Sequence, residues 1–149
     1  MQLHLEGAED LNLPRERAFQ LLTSSSFMAN SLPDAQETRV VDDSNLETKM
    51  KMGISFLTVN MAIRMKIADK EPPRHARLLV EGSGSGSGMK ITSDFDLEGD
   101  STTRMKWAAD AEITGVMAGI GSSVLRAYAE KKVKEIFAGI KKALEEAAV

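Results

Sequence analysis

The residues of this chain that could do chemistry are few and badly spaced for it. The only histidines, His4 and His75, fall in different predicted strands, and no HxxxH or HExxH pair is present to hold a metal. There is no cysteine, which removes disulfides, thiolate ligands and cysteine nucleophiles together. No serine lies in G-x-S-x-G, and neither histidine is placed to activate one. Asp94 and Asp96 alternate with Phe95 and Leu97, which assigns them to the solvated face of a strand, and Asp110 and Glu112 read the same way. Arg126, Glu130 and Lys134 recur at i, i+4 and read as an exposed ladder on a helix. The glycine-rich run Gly82-Ser83-Gly84-Ser85-Gly86-Ser87-Gly88 fits neither phosphate motif. GxGxxG needs glycine at 87 or 89, and the P-loop needs a following Gly-Lys-Ser/Thr. No catalytic residue, metal ligand or cofactor is assigned, and the expectation is a protein that is not an enzyme.

What remains is apolar. Methionines are many, 9 of 149 residues, while aromatics make up only 5%. Flexible thioethers without rigid rings repack around irregular shapes, so they fill either an awkward closed core or a cavity that adapts to a ligand. Met61, Met65, Met89, Met105 and Met117 fall on predicted inward faces. Trp107 and Tyr128 would supply the few polar handles that orient a ligand in an apolar pocket. Ile120, Val124, Met28 and Leu32 complete the candidate ligand-binding set. The stripe Met117, Ile120, Val124, Tyr128 also reads as a surface for docking on a partner.

Composition limits the alternatives. The length suits one domain, residues 1–149, and a net charge of −3 leaves no basic footprint for nucleic acid. The first residues do not read as a signal peptide, and no apolar stretch approaches the roughly 20 residues that span a bilayer. A cytoplasmic protein is expected.

The positioning elements follow from periodicity. Leu3, Leu5 and Leu11 suggest a first strand. Pro14 opens a helix that buries Ala18, Phe19, Leu21 and Leu22. Thr23-Ser24-Ser25-Ser26 breaks it, and a second short helix runs from Phe27 to Ser31. From Glu37 the period is two. Strands at 38–41 and 46–52 are joined through a four-residue turn, Asp42-Asp43-Ser44-Asn45. Beyond Gly53, the residues Leu57, Val59, Met61, Ile63, Met65 and Ile67 define the clearest strand. Leu78 and Val80, then Met89, Ile91, Phe95 and Leu97, then Met105, Trp107, Ala109, Ala111 and Ile113 mark three more. The Gly-Ser run is open to two readings, a flexible linker or a bent strand passing close under a helix. Its continuation of the Leu78/Val80 parity, with glycines inward, favours the strand.

The region from Gly115 to Val149 contains no proline and has helical spacing. Unbroken, it would be about 50 Å long. Its apolar residues fall into two sets, Met117, Ile120, Val124, Tyr128 and Val133, Ile136, Phe137, Ile140, Leu144, offset by roughly 130° at about 100° per residue. Leu125 and Ala129 lie between the sets. Such a helix bends, or its halves cover different objects. The predicted class is α+β: a strand, two short helices, six strands and a long helix, with a curved antiparallel sheet wrapped around that helix.

The segments Pro72-Pro73-Arg74, Leu78-Leu79-Val80-Glu81-Gly82-Ser83-Gly84, Ala108 to Gly115, Met117-Ala118-Gly119-Ile120-Gly121 and the lysine-rich helix through Ile136-Phe137 resemble the carbon monoxide dehydrogenase G-subunit (CoxG) family. That family belongs to the START-like, or SRPBCC, helix-grip superfamily. Leu32-Pro33-Asp34-Ala35 stands where the family usually carries an Ile-Pro-Gly-Cys-like turn, with Asp34 at the glycine position. The resemblance implies a cavity between helix and sheet for a hydrophobic small molecule, a lipid or a quinone. It also implies a role accessory to a carbon monoxide dehydrogenase-type molybdenum oxidoreductase, by quinone transfer or by recruitment to a membrane, and so a possible peripheral membrane contact. Some relatives add a membrane-associating C-terminal extension, which is not carried over to this chain.

Overall fold

The computed structural model describes residues 1–32 and 34–147. Pro33 of the turn and Ala148 and Val149 at the end of the expected helix lie outside the described residues. In chain order the elements are β1 (Gln2–Leu11), α1 (Arg15–Leu22), α2 (Ser25–Ser31), β2 (Ala35–Asp42), β3 (Asn45–Ile54), β4 (Leu57–Glu71), β5 (His75–Gly84), β6 (Ser87–Gly99), β7 (Thr103–Gly115), a 3₁₀ turn (Val116–Ile120) and α3 (Ser122–Ala147). The strands form one antiparallel sheet in the order β1-β7-β6-β5-β4-β3-β2. Five hairpin neighbours follow the sequence, and β1 closes on β7 with Leu5 opposite Ala109. Because β1 and β2 end at opposite edges, the chain between them crosses the whole sheet, and α1 and α2 are what it crosses with.

β4 behaves as its alternation predicts. Val59, Met61, Ile63, Met65 and Ile67 are buried, while Thr58, Asn60, Ala62, Arg64 and Lys66 are exposed. α1 starts at Arg15 after Pro14, with Arg15 N donating to Asp100 O (3.2 Å) and Thr103 Oγ1 to Leu13 O (2.8 Å). α2 begins two residues before the predicted Phe27. Ser24 caps it by accepting from Phe27 N (3.3 Å), so the serines divide into a cap and a first turn. The β2–β3 turn is two residues long rather than four, since Asp42 and Asn45 are paired. Asp42 Oδ1 accepts from Ser44 N and from Asn45 Nδ2, both at 2.8 Å, which closes the turn tightly.

The Gly-Ser run is neither a linker nor one strand. It is a hairpin: β5 ends at Gly84, Ser85-Gly86 turns, and β6 begins at Ser87. The turn reverses the parity, so Gly82 faces inward but Ser87 takes the inward position on β6, buried and accepting from Met117 N (2.9 Å). Gly84 is where glycine is required. A Cβ there would lie 2.0 Å from Asn60 O of the adjacent strand, at φ +152.

The expected bend of the C-terminal region is at Gly121 (φ +105), between the 3₁₀ turn and α3. α3 itself carries one stripe: Leu125, Tyr128, Ala129, Lys132, Val133, Ile136, Phe137, Ile140 and Leu144 recur at three- and four-residue steps on the side facing the sheet. Leu125 and Ala129 therefore begin this stripe rather than separating two others, and Val124 falls off it, 41% exposed. Arg126, Glu130 and Lys134 are not buried, as expected, but form no ladder; Arg126 donates instead to His4 O (3.1 Å).

Two packed regions flank the middle of the molecule. One gathers Leu11, Leu13, Phe19, Leu22, Leu97, Met105 and the distal residues Ile140 and Leu144 of α3. The other gathers Leu3, Ile54, Val59, Met61, Ile113, Met117 and Leu125. Gly84→Ala is expected to lower stability by about 3 kcal/mol, because the added methyl group meets backbone that cannot yield. Gly53→Ala, whose Cβ would meet nothing within 4 Å, is expected to stay within about 0.5 kcal/mol of the parent, as read by urea denaturation.

Candidate functional site

Between the two packed regions, α3 and the concave face of the sheet do not meet. They flank a partly open cavity of about 300 Å³. Its wall is built from inward strand positions, which the alternation of β3 to β7 supplies, and from the single stripe of α3, with Met28 and Leu32 of the α2 region closing one side. Six of the nine methionines, Met28, Met50, Met52, Met65, Met89 and Met117, line it.

Of the predicted site residues, the structure brings Met28, Leu32, Met65, Met89, Trp107, Met117 and Tyr128 onto this wall. Four do not reach it. Met61 is packed between strand neighbours, where a Cβ at Gly82 would lie 3.2 Å from its sulfur, so the glycine's missing side chain is filled by this thioether. Met105 is 2% exposed beside Leu11 and Leu97, in the region that α1 covers. Ile120 lies in the 3₁₀ turn, half-buried against the other packed region. Val124 faces outward because Gly121 resets the phase of the helix.

Trp107 is held between α3 and β1. Its ring stacks at a tilt on Phe137 with centroids 5.1 Å apart, and it lies over Gly7, the residue opposite it on β1. A Cβ at Gly7 would come within 3.0 Å of Nε1. Nε1 is buried there without a hydrogen-bond partner among the described residues, while the ring forms part of the cavity wall.

The polar handle that composition does not reveal is Lys132, one turn beyond Tyr128. Its Nζ donates to Asp34 Oδ2 and to Glu135 Oε2, both at 2.9 Å, and lies 5.7 Å from the centre of the Tyr128 ring. These two carboxylates hold the ammonium well above the usual lysine range. Asp34 adopts φ +62, the left-handed conformation that a glycine would take and that aspartate tolerates. The residue standing at the family's glycine position thus keeps the turn and adds a carboxylate that anchors Lys132. The i, i+4 step from Tyr128 is the one signal in the sequence for Lys132; the contact with Asp34, 98 positions away, has none. A second depression, of about 800 Å³, lies on the outer sheet face among Arg39, Glu47, Arg64 and Glu81. It is open and lined by ion pairs (Arg39–Glu47 at 2.8 Å, Arg64–Glu81 at 3.7 Å), which suits solvent. Among the described residues no group of three or more His, Asp or Glu is arranged to hold a metal, and no helix is long and apolar enough to cross a membrane.

A curved seven-stranded antiparallel sheet gripping a C-terminal helix, with a methionine-walled cavity inside the grip, defines a START-like helix-grip protein. Solved structures agree on the fold. A conserved protein from Geobacillus kaustophilus superposes with a TM-score of 0.86 at 21% identity, covering 99% of this chain and 98% of that one. A START superfamily protein from Mycobacterium smegmatis gives 0.73 at 9% identity, over 97% and 98% of the two chains. The Zhui aromatase/cyclase from Streptomyces sp. R1128 gives 0.68 at 10% identity, over 97% and 94%. No curated protein matches the sequence. The chain belongs to the carbon monoxide dehydrogenase G-subunit (CoxG) family, whose model matches residues 7–145.

Tyr128 is the chain's single tyrosine, so its ionisation is readable by ultraviolet absorbance alone. Burial raises its phenol above the ordinary value and the Lys132 charge opposes that rise. The titration midpoint is expected above about 10, and Lys132→Met is expected to move it higher still. A raised phenol pKa costs stability as pH climbs past the unfolded value, since the unfolded chain then releases its proton first.

Proposed function

We propose that this protein carries an apolar small molecule, a lipid or a quinone, in the cavity between sheet and α3, and that it does so without catalysing a reaction. The observation that carries this reading is the wall itself: six flexible thioethers around about 300 Å³, with polar groups confined to a few positions. That volume stands at the lower end of the about 300–1,000 Å³ typical of small-molecule sites, and methionine walls can widen it. An apolar wall of this extent left facing water forgoes hydrophobic contacts. An occupant restores those contacts.

The polar groups favour an uncharged head. Lys132 is already neutralised by Asp34 and Glu135, so an anionic ligand gains little from it, whereas a carbonyl can accept from the Tyr128 hydroxyl. Family membership supports the finer reading that the cargo is a quinone and that the protein serves a carbon monoxide dehydrogenase-type molybdenum oxidoreductase. A protein that only recruits such an enzyme to a membrane or partner would need no cavity, and the void weighs against that alternative.

Native mass spectrometry and lipid extraction of the purified protein, followed by titration with menaquinone analogues and fatty acids, test the proposal. Co-purification with the oxidoreductase tests the finer part. Ala109→Leu combined with Ala111→Leu, both on the cavity wall, is expected to weaken ligand binding at least about tenfold while the melting temperature holds or rises, because filled void replaces ligand. A protein that purifies empty and binds neither quinone nor fatty acid removes the carrier reading.

A further inference from the structure

Charge is confined to one side of the cavity wall. Asp34, Lys51 and Lys132 line it, and among the described residues the rest of the wall is uncharged. These three come from separate parts of the chain. Ala35 pairs with Met50, which sets Asp34 level with Lys51 beside the first residue of β2. Lys132 reaches Asp34 from α3 at 2.9 Å. Charged side chains stay where water reaches them. The cavity therefore opens at the margin of the α2 insertion, between α3 and the β2–β3 pair. On the far side the wall is apolar, with Leu3, Leu5, Ala109 and Ala111, and Arg126 fastens α3 to β1 by donating to His4 O (3.1 Å). The two packed regions fill the ends.

α3 meets the α2 insertion at two points of different character. At Gly139 the helix passes so close that a Cβ would lie 2.9 Å from Ser31 O, a backbone contact that cannot give. Two turns earlier, about 10 Å away along the helix, the link is Lys132 to Asp34, made by side chains alone. Lys132 is 23% exposed and Asp34 60%, so the pair is weak and opens readily. Asp34 also holds φ +62, where glycine is the unstrained residue. The turn would form more easily without the carboxylate, and the contact that carboxylate makes is the one with Lys132. Lys132 has a second partner on its own helix, Glu135 at 2.9 Å, so the ammonium is not left unpaired when it leaves Asp34.

We propose that the ligand passes in and out at this margin, beside Met50 and Met52, and that the Lys132–Asp34 pair is a latch across the passage. The inference rests on the carrier reading of the cavity. Closed, the pair ties α3 to the turn after α2. Released, Lys132 turns back to Glu135, and the thioethers on β3 give way to an apolar body. Such a latch sets how fast an occupant exchanges and leaves the choice of occupant to the wall.

Stopped-flow uptake and release of N-phenylnaphthylamine by the full chain, an uncharged probe that fluoresces out of water, is the test. Asp34→Gly removes the carboxylate and suits φ +62, so its melting temperature is expected to hold. Both rates are expected to rise about two- to fivefold, with a smaller change in the equilibrium constant, because the latch stands on the path and not in the bound state. Added salt is expected to speed the parent and not Asp34→Gly. The chain has no cysteine, so Asp34→Cys with Lys132→Cys can be bridged by a short bismaleimide, which is expected to slow exchange below that of the unbridged protein. Rates indifferent to Asp34→Gly, exchange at full speed through the bridge, or no probe uptake at all overturn the proposal. So does a fall in affinity with an unchanged uptake rate, which would make the pair part of the binding site. Probe exchange that responds to the latch while quinone and fatty acid fail to bind supports the passage and removes the cargo, so the two readings fail separately.

Discussion

The structure turns on a mismatch of widths. A helix with its side chains is about 10 Å across, whereas seven strands at about 4.8 Å spacing span about 29 Å. One helix cannot cover the concave face of such a sheet. Curvature brings the edges inward, α3 makes its closest backbone approaches to β1, α2 and β3, and α1 approaches β6, so the middle of β4 and β5 is the part least closely covered. The uncovered strip is apolar because alternation places apolar side chains at the inward positions of those strands. α3 is secured by Leu125 at one end and by Ile140 and Leu144 at the other, so the opening lies between those anchors.

Residue types at the opening follow from that arrangement. The packed regions at either end are built largely from branched and aromatic side chains such as Leu11, Leu13, Phe19 and Val59, with Met105 in one and Met61 in the other. The wall between them uses thioethers, and small residues at Ala109 and Ala111 where β7 passes under the helix. The thioethers on the wall let it change shape around an occupant. Lys132, bridged to the turn after α2 by Asp34, ties the helix to the insertion that closes the side of the cavity, and is the one long-range ion pair that does so among the described residues.

Much of this architecture is readable from period alone. The alternation through Leu57, Val59, Met61, Ile63, Met65 and Ile67 defines β4, and the spacing of the C-terminal region defines a helix that something must surround. What period cannot supply is position along a strand. Met61 and Met65 share a face of β4, yet only Met65 reaches the void, because Met61 fills the space that Gly82 leaves on β5. Met105 and Trp107 are likewise neighbours on one face, separated by where α1 ends its cover. A single left-handed glycine is enough to displace Val124 from its predicted side: Gly121 rotates the helix against the 3₁₀ turn, so residues on its two sides cannot be placed on one wheel. The Gly-Ser run differs from its expected form for a related reason, since a two-residue turn inverts parity and composition does not show where it falls. Contacts such as Lys132–Asp34 depend on the tertiary fold and leave no trace in spacing.

The pairing of the first strand with the last has a consequence for folding. Leu3 and Leu5 face Ala111 and Ala109 across the pair, so β1 takes its place in the sheet only once β7, far along the chain, is present. Contacts that distant in sequence are slow to form and leave a sticky edge open meanwhile. Closure of the β1–β7 pair therefore belongs to the late steps of folding, and until it happens β7 presents an open edge.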